Sequence, residues 1–179
     1  AIRKEDYSMV PSNYLVDDFY INMKIFDKGK KAINDLEAMV FEDVSNVLRD
    51  EFRRKVRIAT GNWQNLRTFP HLLLRKNLGF CFLSHKVLRW LGPFFILAAL
   101  LLNVVLAVYS VFYLVILLMH LALLLLPLLD YLLKKANIHI RPLRLVTHFY
   151  AMNLALLVGF FRSWKKIHSG TWDRTPRNQ

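Results

Sequence analysis

The sequence predicts a chain in two parts: an α/β segment first, then an α-helical membrane region with two transmembrane helices plus a third membrane or interfacial helix. Three observations lead there. Trp90–Leu129 contains no Asp, Glu, Lys or Arg, and a bilayer core takes about 20 apolar residues per helix. That stretch is therefore long enough to cross twice. The charges sit on either side of it, with most of the basic residues in the flanks. Before Pro70, strand-like and helix-like patterns alternate.

Ala1–Val10 reads as the end of a strand and a charged turn. Val16–Phe26 places Val16, Phe19, Tyr20, Met23 and Ile25/Phe26 near helical spacing. Asp17 and Asp18 stand at its start, where carboxylates favour the helix dipole, and Gly29 stops it. Lys31–Val44 has short alternating pieces (Ala32, Ile33; Met39, Val40, Phe41) that read as a strand and a loop. Ser45 to about Leu66 is a long polar helix with an apolar stripe of Val47, Leu48, Phe52, Val56, Ile58/Ala59, Trp63 and Leu66. Pro70 closes that region.

His71–Trp90 mixes Leu, Phe and Trp with Arg75, Lys76, Lys86 and Arg89, the composition of an amphipathic helix lying on a membrane surface. The spans follow at about Leu91–Val108 and Val111–Leu129, joined near Tyr109–Ser110. Lys134–Arg144 is a basic loop. Val146–Phe161 is a third apolar segment of about 16 residues, at the lower edge of span length. It fits either a third span or an interfacial helix.

Residues 1–48 carry six Lys/Arg against nine Asp/Glu, residues 49–89 carry ten against two, and residues 134–179 carry nine against Asp173 alone. Basic flanks around a hydrophobic block place both ends on the cytoplasmic side and suit anionic headgroups. The net charge of +12 thus finds its partner in membrane lipids. No nucleic-acid motif is present and no nucleic-acid partner is expected. Cys81 is the only cysteine, so no intramolecular disulfide is possible. No apolar leader follows Ala1, so no signal peptide is expected there, and the start without Met is that expected of a piece of a longer protein.

Three groups of residues could carry chemistry. Asp17-Asp18 can serve as a general base and an orienting carboxylate for a hydroxyl proton; the pair also reads as an acidic helix cap. Arg53, Arg54 and Arg57 lie within one turn, as neighbours at i+3 and i+4. Guanidinium groups so placed can fork onto a diphosphate, or simply form a solvated basic face. Trp172, in Ser169-Gly-Thr-Trp-Asp-Arg-Thr175, stands among small and polar residues and reads as a gating segment or an interface anchor. The six histidines show no metal-ligand spacing, and no metal site is expected within residues 1–179.

In order along the chain, these pieces resemble the C-terminal part of membrane-bound family 2 glycosyltransferases, the group of hyaluronan, cellulose and poly-N-acetylglucosamine synthases. "VDDF" (Val16–Phe19) resembles the motif, often TED or GDD, whose last Asp is the catalytic base. "RRKVRIATGNWQ" occupies the place of the QxxRW motif, "SHKVLRWLGPF" that of the interfacial helix entering the membrane, and "SGTWDRT" that of a terminal Trp-containing segment. The glutamine and tryptophan of QxxRW are replaced by Arg54 and Ile58, while its arginine matches Arg57. The missing tryptophan bears on processivity; Trp63, with Gln64 beside it, is the nearest substitute.

The resemblance implies an inverting glycosyltransferase of hexosyltransferase type, moving a sugar from a nucleotide-diphosphate sugar to a glycan or lipid-linked acceptor. Asp18 would be the base and Asp17 its orienting partner. Arg54 and Arg57 would hold the donor diphosphate, with Arg53, Trp63, Gln64 and Trp172 as further substrate-binding residues. Residues 1–68 would be the C-terminal part of a GT-A domain, 69–90 the interfacial helix, 91–133 the transmembrane hairpin, 134–162 the basic loop and third segment, and 163–179 a cytoplasmic tail. The nucleotide-binding half, with its Mg²⁺ or Mn²⁺, would lie before Ala1 or on another chain. The expected location is the plasma (inner) membrane, with the catalytic part in the cytoplasm. A catalytically inactive relative or partner subunit serving as a membrane anchor fits the same residues.

Overall fold

The structure, a computed structural model, describes residues 2–33, 35, 37–39, 47–167 and 170. Its helices run in the order α1 (Asp17–Asp27), α2 (Leu48–Thr68), α3 (Lys76–Phe82), α4 (Leu88–Trp90), α5 (Gly92–Leu106), α6 (Val111–Lys135) and α7 (Arg141–Arg162). A 3₁₀ turn at Pro70–Leu74 precedes α3, and a π turn at Leu83–Val87 joins α3 to α4.

Among the described residues there is no strand, and the expected α/β segment is corrected accordingly. Residues 4–6 form a turn, with the Asp6 and Tyr7 amides donating to the Arg3 carbonyl. Of the expected strand at 31–44, residues 31–33, 35 and 37–39 are not extended in a ladder; the others lie outside the described residues. The physical reason is pairing. Strand preference is mostly tertiary context, and a lone extended segment leaves its backbone groups unmatched. No described segment offers these residues a partner.

The chain divides into two compact units, one drawn from residues 1–89 with 158–179 and the other from residues 90–157. In the first, α1 packs on α2. Tyr20 and Met23 are buried on α1, and Val56, Ala59 and Trp63 on α2. The rings of Tyr14 and Tyr20 meet edge to face at 4.6 Å, and Tyr20 lies 5.5 Å from Phe69. The far end of α1 is clasped by the segment after α2. His71 Nε2 is 2.7 Å from Asp27 Oδ1, and the Arg75 guanidinium donates to the Phe26 and Asp27 carbonyls.

The second unit holds the α5–α6 hairpin, turned at residues 107–110. The Ser110 hydroxyl caps α6 by accepting from the Phe112 amide at 3.3 Å. At the other end, Asn137 adopts φ 60°; the Ile138 amide donates to Leu133 O and the Asn137 amide to Lys134 O, a Schellman closure. Helices α6 and α7 are each long and apolar enough to cross a membrane. At 15 residues, α5 spans only about 22 Å, short of the ~30 Å hydrocarbon core. It reaches span length only when counted with Lys76–Trp90 as one broken segment, which would make three spans. The third apolar segment, starting at Arg141 rather than Val146, is longer than its hydropathy alone marks out.

Candidate functional site

The site is built on one face of α2. Arg57, Gly61, Gln64 and Thr68 recur at i, i+4, i+7 and i+11, so they line a single stripe. Each meets the run 13–18 in reverse order. Thr68 Oγ1 bonds the Tyr14 hydroxyl. Gln64 Oε1 accepts from the Leu15 amide at 3.3 Å, and its Nε2 donates to the Asn13 carbonyl at 3.1 Å. Gly61 faces Val16, and a Cβ added there would lie 2.4 Å from Val16 Cγ2. Only a residue without a side chain allows this approach. Arg57, next along the stripe, is close enough to Asp17 and Asp18 for their charges to act on its guanidinium.

Asp17 and Asp18 occupy the first turn of α1 and are exposed. Each carboxylate also accepts from the following amide, Asp17 from Asp18 N at 3.0 Å and Asp18 from Phe19 N at 2.8 Å. Arg57 is half-buried. Desolvation pulls its pKa below the ordinary guanidinium value, and the neighbouring Arg54 adds to this, while Asp17 and Asp18 push it back up. Arg54 is exposed one turn earlier, 3.6 Å from Glu51, and Arg53 is exposed beside it.

The fold therefore brings Asp17, Asp18, Arg57 and Gln64 along one seam, with Arg54 one turn away. Trp63 is elsewhere, roughly a third of the way around α2. It is buried, with its ring edge-on to Phe160 at 5.0 Å. That second face also receives Gly159, whose added Cβ would stand 2.4 Å from Ala59 Cβ. It ends at Arg67, which donates to the Ser163 carbonyl at 2.6 Å and its hydroxyl at 2.9 Å and lies 4.5 Å from the Trp164 ring. Trp172 lies outside the described residues. Its neighbour Gly170 donates to the Ser12 carbonyl at 2.7 Å.

Sequence reasoning missed the stripe as a unit. Gly61, although inside RRKVRIATGNWQ, and Thr68 were given no role, and Gln64 is expected there to touch substrate. The signal was available: 57, 61, 64 and 68 share a helical face, with a glycine and three polar residues where apolar ones would be expected.

The sequence pattern of the family described as Glycosyl transferase family group 2 matches residues 7–134, which include the whole seam and the α5–α6 hairpin. The chain belongs to this family. No curated protein and no solved structure gives a match. A family 2 glycosyltransferase transfers a glycosyl group from a nucleotide-sugar donor to an acceptor, and helices able to cross a membrane accord with a membrane-bound member. Among the described residues no three His, Cys, Asp or Glu side chains converge to hold a divalent cation.

Proposed function

We propose that residues 1–179 form the acceptor side and membrane part of an inverting hexosyltransferase. The donor is a nucleotide-diphosphate sugar and the acceptor a glycan or lipid-linked sugar. The observation that supports this best is the seam itself: two motifs some forty residues apart in sequence meet because Gly61 and Gln64 dock the start of α1 one turn from Arg57.

In this reading Asp18 accepts the proton of the acceptor hydroxyl while its oxygen attacks the anomeric carbon. The bond from that carbon to the diphosphate breaks, the nucleoside diphosphate leaves with the electron pair, and the configuration inverts. Asp17 keeps the Asp18 carboxylate oriented by bonding its amide. Arg57, held half-buried, and Arg54 lie beside the departing diphosphate. A fixed cation at the place where negative charge develops lowers the barrier, more so away from bulk water. The nucleotide-binding side and its Mg²⁺ or Mn²⁺ belong outside these residues. The basic flanks set the site on the cytoplasmic face of the inner membrane, within reach of a lipid-linked acceptor.

The test uses the complete protein in membranes. Asp18→Asn should lower sugar transfer by about 10²-fold or more, the range for losing a general base, and Arg57→Ala should also lower it, both with unchanged thermal unfolding. Transfer at the wild-type rate by Asp18→Asn would refute the assignment of the base.

A further inference from the structure

We propose that Gln64 is a positioning residue for sugar transfer: its side-chain amide fixes the segment before α1 and so sets where Asp18 stands relative to Arg57. The inference rests on the reading of Asp18 as the base.

The geometry is specific. One amide supplies both halves of a clamp, accepting from Leu15 N and donating to Asn13 O, so a residue with only a donor or only an acceptor cannot replace it. The clamp lies three residues before Asp18 and two turns along α2 from Arg57. Between them, the Gly61–Val16 contact leaves no side chain to act as a spacer. The amide is thus the tie nearest Asp18 that grips the backbone of the segment directly. Both polar atoms of Gln64 are engaged with backbone, which separates its role from substrate contact. Two other ties hold the segment independently, Tyr14 to Thr68 and Ser12 to Gly170. Loss of the clamp should thus shift the start of α1 without releasing it, and a displacement near 1 Å in an active site is costly to rate.

The experiment compares wild type, Gln64→Leu, Gln64→Glu and Asp18→Asn in the complete membrane-embedded protein, reading nucleoside diphosphate released from a panel of UDP-, GDP- and dTDP-hexoses. Gln64→Leu should lower kcat about tenfold with donor KM and unfolding temperature near wild type. Gln64→Glu, which keeps the acceptor and loses the donor, should fall between. Hydrogen exchange should quicken at residues 13–18 and not across α2. A wild-type kcat for Gln64→Leu alongside an inactive Asp18→Asn overturns the positioning role and leaves the base assignment standing. A raised donor KM at unchanged kcat also overturns it, by making Gln64 a donor contact. An active Asp18→Asn removes the base and the positioning role together. If Gln64→Leu does not fold, Gln64→Glu and the exchange at 13–18 decide.

Discussion

Helices α2 and α6 are of similar length, 21 and 25 residues, yet α2 buries six of its residues and α6 none. On α2 each face has a defined partner: 13–18 on the stripe through Arg57 and Gln64, and 159–164 on the face through Ala59 and Trp63. Position is set residue by residue, by missing side chains at Gly61 and Gly159 and by paired polar atoms at Gln64 and Arg67. On α6, Leu118, Met119, Leu125 and Leu128 all point outward. Water would penalise such a surface heavily; lipid does not, because hydrocarbon is as apolar as leucine and gives helices little drive to associate. One helix is a template with a fixed seat for each neighbour, the other an element long and apolar enough to cross a membrane.

That contrast can be broken at its strongest point first. Leu118 is 57% exposed near the middle of the uncharged part of α6, residues 111–129, and Leu118→Arg should cost about 2.5–3.5 kcal/mol of insertion. Membrane fractionation and glycosylation mapping of the hairpin would show it leaving the bilayer; unchanged insertion would mean that this face of α6 does not meet lipid.

A smaller effect sharpens the other side. Gly61→Ala puts a Cβ against Val16, and overpacking of this kind costs about 1–3 kcal/mol. The expected result is a lower unfolding temperature together with reduced transfer, because the same contact seats Asp17 and Asp18. An unfolding temperature equal to wild type would show that the α1–α2 approach is looser than the structure has it.

The smallest effect is acid sensitivity. A hydrogen bond from Lys30 lowers the Asp6 pKa, and one from His71 lowers that of Asp27. Carboxylates lowered in the folded state stabilise it above their ordinary value near ~3.9, and that contribution fades as pH falls through the lowered values. Acidification below about pH 4 should therefore loosen residues 17–27 in hydrogen exchange before α6 responds. A variant with Asp6→Asn and Asp27→Asn should show a shallower acid response, and an identical pH curve would remove these two groups as its source.

Much of this molecule was legible in its sequence. Helix α1 falls within a residue of where its apolar spacing puts it, and the turn of the hairpin sits at Tyr109–Ser110 as the uncharged stretch requires. These are local or compositional properties: helical periodicity, and a run of side chains that only lipid solvates cheaply. The expected strands are absent among the described residues, because β structure depends on a partner that no short window of sequence reveals. The length of α5 was also hidden, since composition marks apolarity and not where a helix breaks.

By itself, the sequence determined which residues are charged, which stretch seeks lipid, and which two motifs resemble a sugar-transfer site. Only the tertiary structure decided that those motifs meet, and at what register. A helical stripe becomes a seam only when another segment lies against it, and here that depends on a glycine with no side chain to hold Val16 away and on one amide able to donate and accept at once. Neither residue type announces such a role in isolation, because both act through the distance between two other groups.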